Sequence, residues 1–399
     1  MHLIANASRS MMVFAWVSLA CTSVCCKRER QPGRDDPVDP PARAIQAGQL
    51  VDTVRRLGTD RIAVFTAAGR MEVWTLGTQP SRELDVPLPE KVYGSEVLPL
   101  SLTLAAWCHW TGRAVIVGEL PSGKVARQFQ NESVVLVAVD GCGRLVSWVD
   151  RDPAKGECRL RLAEAESGRL LLDIPLSPIA TIECLDSLAI SPDSSRIAFG
   201  VGSAGVYHVG VVDVASKSVL WQTGEAGGAY RIAFLPDSAS FFAVDSGGRL
   251  THYETATGRA LWQVKVRPTW ERLVAVDVSP DGKRVAVGCD FTRRAMVWDI
   301  GSQKQIAVIK PSMHPLWCVL FDPSGEGIWT AGTVDSAISY YPLPGARAIG
   351  KTGDSMPVSA ASRPADAQTP SAVTNRRFFA PGRWDGGAVF TGCRAQFLG

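Results

Sequence analysis

The sequence predicts an all-β protein built from seven copies of one four-stranded antiparallel unit between about residues 48 and 350. Two periodicities and one recurring turn chemistry predict it. First, SPDSSRIAFG, from Ser191, LPDSASFFAV, from Leu235, SPDGKRVAVG, from Ser279, and DPSGEGIWTAG, from Asp322, place Pro192, Pro236, Pro280 and Pro323 at intervals of 44, 44 and 43 residues. Second, VWTLGTQ, VGELPSG, LAEAESG, VVDVASK, HYETATG, VWDIGSQ and YYPLPGA superimpose, setting Thr75, Glu119, Glu164, Asp213, Glu254, Asp299 and Pro342 in one column. The steps of 44, 45, 49, 41, 45 and 43 count seven units. The step of 49 needs an insertion, which the loop-like DRDPAKGE, residues 150–157, is expected to supply.

Each element of a unit follows from residue type. RLVAVDV (272–278), RVAVG (284–288), AMVWDI (295–300) and IAVIK (306–310) are short runs of β-branched and aromatic residues, and they read as strands. SPDGK (279–283) separates the first two: Pro280 presets φ, Asp281 bonds its own backbone and Gly282 supplies the φ > 0 of a tight hairpin. CDFTRR (289–294) and GSQKQ (301–305) join the remaining strands. A four-stranded sheet of this size cannot bury both faces alone, whereas blades stacked around an axis cover one another. The prediction is a seven-bladed β-propeller, its last blade completed by ARAIGK, residues 346–351, or by a strand from residues 42–48.

These units resemble WD40 and the related YVTN-type propeller repeats over about three quarters of the chain. MVWDI (296–300) carries the family's Trp-Asp pair and SPDG its usual turn, although no unit has the Gly-His dipeptide of many WD40 repeats. The resemblance implies a rigid protein-interaction scaffold. VASKSVLWQTG and TATGRALWQVK are similar, more distantly, to the tryptophan repeats of pyrroloquinoline-quinone propellers. That resemblance implies that Trp221 and Trp262 dock between neighbouring blades, as in lipid-anchored relatives that assemble complexes without a cofactor.

Outside the repeat, residues 1–26 read as a signal peptide or lipoprotein signal and 27–47 as a linker. MMVFAWVSLACTSVCC (11–26) is short for a spanning helix and follows Arg9, as in a secretory signal. VSLAC resembles a bacterial lipobox, with Ala20 before Cys21 as the lipidated residue and Ser18 where Leu is usual. KRER (27–30) pulls the other way, towards an anchor that leaves the body in the cytoplasm. Residues 351–399 begin as a Ser/Ala/Pro/Thr-rich linker and end in an aromatic and basic stretch that either docks or stays a loose tail.

Composition excludes several functions. A net charge of +3 and pI of about 8.3 are too mild for a nucleic-acid partner. The ten cysteines show no C-x-x-C spacing and the five histidines no H-E-x-x-H or i, i+4 pair, so no metal and no cofactor is expected. Cys158 and Cys184 are the one pair worth testing for a disulfide, against the reading of both as small core residues. GELPSGKV (118–125) matches G-x-x-x-x-G-K, but Val125 stands where Ser or Thr would hold magnesium and no helix pattern follows.

Propeller topology gathers the loops between blades and those between second and third strands on one face. There the sequence offers Arg267, Trp270, Arg293, Arg294 and His314 as candidate partner-binding residues, because Arg and Trp carry much interface energy. The expectation is a non-catalytic scaffold, exported or anchored at the bacterial cell envelope, that binds another protein or an envelope component and touches the membrane only through its N-terminal anchor. The alternative is an envelope enzyme or small-ligand sensor using the central channel, as in a quinone-type propeller.

Overall fold

The computed structural model describes residues 38–344 apart from short stretches such as 93–96, 177–183, 226–230 and 267–271. It is a seven-bladed all-β propeller of seven four-stranded antiparallel sheets. In six blades the strands run from channel to rim in chain order, as in blade 6: Leu273–Val278, Arg284–Cys289, Ala295–Asp299 and Lys304–Ile309. The extra residues of the 49-residue step fall after Glu164, not at 150–157. They lie in part in the long hairpin of blade 4, Arg196–Ser203 with Val206–Asp213, whereas Arg151 and Asp152 are paired strand residues opposite Cys158 and Glu157.

The core is divided among the seven blade interfaces. One cluster fills each, from Val73 against Trp107 between blades 1 and 2 to Val54 and Ile62 against Ile45, Trp329 and Tyr340 between blades 1 and 7. Second strands such as Ser240–Val244 are therefore buried on both faces and lose the alternation of a half-exposed strand. Rim strands face water, and all six that follow their blade in sequence carry a register shift at the same place. A bulge there blunts an edge that would otherwise recruit a foreign strand.

The recurring turns are knots of side-chain hydrogen bonds. In SPDG of blade 6 the Ser279 hydroxyl donates to Asp281 Oδ1 (2.6 Å) and accepts from Arg284 N (2.9 Å), while Lys283 N donates to the same carboxylate (3.0 Å). Blade 4 repeats this with Ser191 and Asp193; burial opposes the charge, but hydrogen bonds from Ser191 and Ser195 hold that carboxyl down to about 2. Blade 7 reverses the pair: Asp322 Oδ1 accepts from Gly327 N (3.0 Å) and Oδ2 from the Ser324 hydroxyl (2.7 Å). A hydroxyl and a carboxylate two residues apart, in either order, thus build the turn.

The ring is closed by the N-terminal segment. Arg43–Gln46 is the rim strand of blade 7, in register with Ala337–Tyr340, so the propeller begins at residue 43 rather than 48; residues 346–351 lie outside the described residues. Arg43 fastens it: its guanidinium lies 3.9 Å from the Tyr340 ring centre and donates to Gly77 O of blade 1 at 2.5 Å. Upstream, Asp39 N donates to Lys310 O (2.9 Å) and Lys310 N to Asp39 Oδ2 (2.7 Å).

Candidate interaction face and channel

On the loop face, blades 5, 6, 7 and 1 are knitted into one arc. Leu273 N donates to Asp245 O of blade 5 (3.4 Å), Asp290 N to Arg272 O (3.0 Å), Val51 N to Asp335 O (2.8 Å) and Ala67 N to Leu50 O (2.9 Å). Asp290 also pairs with Arg272 at 2.6 Å, and the Asp335 carboxylate accepts from Gly332 N (2.7 Å) and the Ser312 hydroxyl (3.1 Å). These acids are spent on holding loops.

The arc carries three of the five residues expected there. Arg293 and Arg294 are half-buried in the loop between second and third strands of blade 6, with Arg293 held at φ +57°. Such a backbone costs a non-glycine residue roughly 1 kcal/mol or more. His314 is exposed, its backbone N donating to Ser312 Oγ at 2.9 Å. Arg267 and Trp270 lie outside the described residues, as do Cys21 and the rest of the targeting segment.

Sequence reasoning missed the apolar part of this face. Phe291 is 52% exposed, Leu50 49% and Trp317 47%. Trp317 lies at a register shift in the inner strand of blade 7, where Leu316 pairs with Gly332 and Cys318 with Ala331; the inner strands of blades 1, 3, 4 and 6 carry the same shift, and in blade 6 the residue at that place, Val274, is buried. The other described tryptophans of inner and second strands, Trp107, Trp148 and Trp329, are buried. The shift is thus common to most blades, and the exposed indole is particular to blade 7.

Inside the channel, polar groups converge where blades 6, 7 and 1 meet. Arg56 Nη2 donates to Asp277 Oδ2 and to Phe321 O, both at 2.8 Å, and Phe321 N donates to the same carboxylate oxygen at 2.7 Å. One acid therefore ties three blades. Burial drives the nearby Cys318 thiol up to about 12 and lowers the Arg55 pKa.

The remaining motifs are structural. GELPSGKV is the turn between third and rim strands of blade 2: Gly123 sits at φ +68°, Lys124 is 3.7 Å from Glu119, and a strand follows from Val125. Glu164, Asp213, Glu254 and Asp299 occupy the same place in their blades, each bonded to a Ser or Thr of its own turn, which is the physical content of the second register. Trp221 docks on the next blade as the resemblance implied, donating to Thr255 O at 2.7 Å beside Gly258. Trp262 meets Phe242 edge-on at 5.7 Å beside the cluster joining blades 5 and 6. Cys158 is buried in the core between blades 3 and 4, and the Cys184 side chain lies outside the described residues. His252 is buried, bonded to Ser240 Oγ at 2.8 Å and stacked on Phe242. Among the described residues no group of three or more His, Cys, Asp or Glu is placed to hold a metal ion, and no helix is long and apolar enough to cross a membrane.

No protein-family model matches the chain, and no curated protein matches it. Solved structures do. One, described as the crystal structure of a mitotic checkpoint complex, superimposes with a TM-score of 0.58 at 15% identity, covering 80% of this chain and 99% of the other. At that identity the likeness is one of propeller fold alone.

Proposed function

We propose that the protein is a non-catalytic interaction scaffold, exported or anchored through its N-terminal segment, whose loop face binds another protein or a component of the cell envelope. The observation that carries this reading is the exposure of Phe291, Trp317 and Leu50 on the loop face that also carries Arg293 and Arg294. Large apolar groups next to arginines are what interfaces bury at their centres. Two further points support it. The convergent charges of the channel, Arg56 and Asp277, are engaged in joining blades, and the superimposed propeller belongs to a multiprotein complex.

The test is affinity capture of the full-length protein from its native membranes, beside Trp317→Ala, the pair Arg293→Glu with Arg294→Glu, and Cys21→Ser. A protein recovered with the parent and lost from the loop-face variants is the expected result. Loss from Cys21→Ser alone would place the partner's dependence on the anchor. Equal recovery with all variants, or none with the parent, refutes the loop-face reading.

A further inference from the structure

The chain enters the ring on the loop face. Asp39 is bonded in both directions to Lys310, Asp39 N donating to Lys310 O (2.9 Å) and Lys310 N to Asp39 Oδ2 (2.7 Å). Lys310 follows the rim strand of blade 6 and opens the loop that leads into the inner strand of blade 7, which places it among the loops between blades. The Tyr341 hydroxyl donates to Asp39 O at 3.2 Å and fixes the segment there. The entry point therefore lies on the side that carries Phe291, Trp317 and Leu50. We propose that the partner of this face is a protein embedded in the same membrane as the N-terminal segment, offering acidic groups to Arg293 and Arg294 and apolar ones to Trp317 and Phe291. The inference rests on the anchored, loop-face reading above and adds where the partner lies.

The length of the tether sets the geometry. From Cys21, the lipidation candidate, to Asp39 the chain reaches at most about 65 Å when fully extended, and from the end of the apolar run at Cys26 at most about 45 Å. Attachment at either place holds the loop face within that distance of the bilayer, on whichever side the body lies. A partner held in the same membrane meets this face at the raised effective concentration of a tethered pair.

The surface itself selects protein over lipid. The Ser312 hydroxyl donates to Asp335 Oδ1 (3.1 Å) and Val51 N to Asp335 O (2.8 Å), which ties the loop before Trp317 to the residue after Leu50. Phe291 lies in the adjoining loop of blade 6, its ring centre 5.8 Å from the Arg272 guanidinium. Two half-buried arginines, Arg293 and Arg294, share this arc with two exposed acids, Asp39 and Asp52. A bilayer surface presents phosphates, which suit the arginines and repel both acids, whereas a protein surface carries both signs. Trp, Phe and Arg are also the residues in which protein interfaces are enriched.

Photo-cross-linking of the full-length protein in its native membranes tests the proposal. The probe p-benzoylphenylalanine replaces Trp317, or Leu102 in the turn between first and second strands of blade 2 on the opposite face; both positions are exposed. The expected result is an adduct from position 317 with a protein that has a membrane-spanning segment and stays in alkaline-washed membranes, and none from position 102. Adding Arg293→Glu with Arg294→Glu is expected to lower its yield about tenfold or more. Doubling the length of residues 27–38 with Gly and Ser is expected to lower it about threefold, because effective concentration falls with tether length. An adduct with a soluble protein or with lipid, or a yield unchanged by the longer tether, overturns this inference and leaves the loop-face reading standing. No adduct from position 317 overturns both.

Discussion

Exchanging the hydroxyl and thiol between two sister turns measures how much the turn chemistry contributes to stability. Asp140 of the blade 3 turn is the counterpart of Asp322, and its Oδ2 has no partner among the described residues. Cys142→Ser places on that turn the donor that Ser324 provides on the blade 7 turn, where the bond to the carboxylate is 2.7 Å long. The gain is bounded above by the cost of an unsatisfied buried carboxylate oxygen, roughly 3 kcal/mol, and below by a net neutral hydrogen bond, about 0.5 kcal/mol. Because residue 142 is exposed and its hydroxyl would otherwise bond water, the expected gain is about 1 kcal/mol. Ser324→Cys removes the same bond and is expected to cost a similar amount. The protein is unfolded in urea, where a change in midpoint at constant slope reads stability directly. If Cys142→Ser is neutral or destabilising while Ser324→Cys is costly, the two turns are not equivalent and Asp140 Oδ2 is satisfied by other means. If both exchanges are neutral, the hydroxyl-carboxylate pair does not hold the turn.

Gly258→Ala is expected to cost about 2 kcal/mol, because φ is +72° and the new Cβ would lie 2.5 Å from Trp221 Cδ2; Gly282→Ala, with φ +68° and Pro236 Cδ at 3.5 Å, meets only the backbone penalty of about 1 kcal/mol. Equal losses in urea midpoint would show that the tryptophan does not lean on that turn. A double-mutant cycle on Arg56→Met and Asp277→Asn is expected to give a coupling of about 1–2 kcal/mol, since the side chains are 28% and 17% exposed, between surface and core pairs; additive losses would reduce the channel tie to packing. Burial holds the His252 pKa below its ordinary 6.5, so the unfolded chain takes up that proton first, and stability complete above pH 6.5 is lost as pH falls below it. A second loss is expected as pH falls from 3.8 towards 2, where Asp193 protonates. Urea midpoints followed from pH 7.5 to 5 test the first, and a slope unchanged in His252→Phe would refute its assignment.

Much of the fold was legible because turns and periods are local. Pro280, Asp281 and Gly282 announce a hairpin whatever surrounds them, and their recurrence counts blades. Ring closure was not legible, since ARAIGK and the segment from 42 to 48 are equally strand-like. What selects Arg43–Gln46 is its fit to Tyr340 and Gly77, nearly three hundred residues and one blade away respectively. The same limit hid part of the candidate site. Arg293, Arg294 and His314 could be assigned to one face by topology, but Trp317 lies in the run LWCVLF, where nothing local distinguishes it from a core residue. The register shift at Trp317 recurs in four other inner strands and leaves Val274 of blade 6 buried, so its exposure belongs to the packing around blade 7 and not to any feature of the strand alone.

Repeats within one chain act as controls for one another, and this separates two kinds of departure. Ser238 takes the left-handed position that Gly143, Gly282 and Gly325 fill in other inner turns, and its hydroxyl accepts Asp193 N of blade 4 at 3.1 Å, so the change gives back a bond between blades. Cys142 and Trp317 give nothing back: one strands a carboxylate oxygen, the other leaves an indole half in water. A residue that costs stability and receives no packing or hydrogen bond in return is the kind kept for a bound molecule. The two sit on opposite faces and differ in chemistry, a turn with a stranded carboxylate oxygen against an exposed apolar arc. On this argument Cys142→Ser should leave partner capture intact while Trp317→Ala removes it.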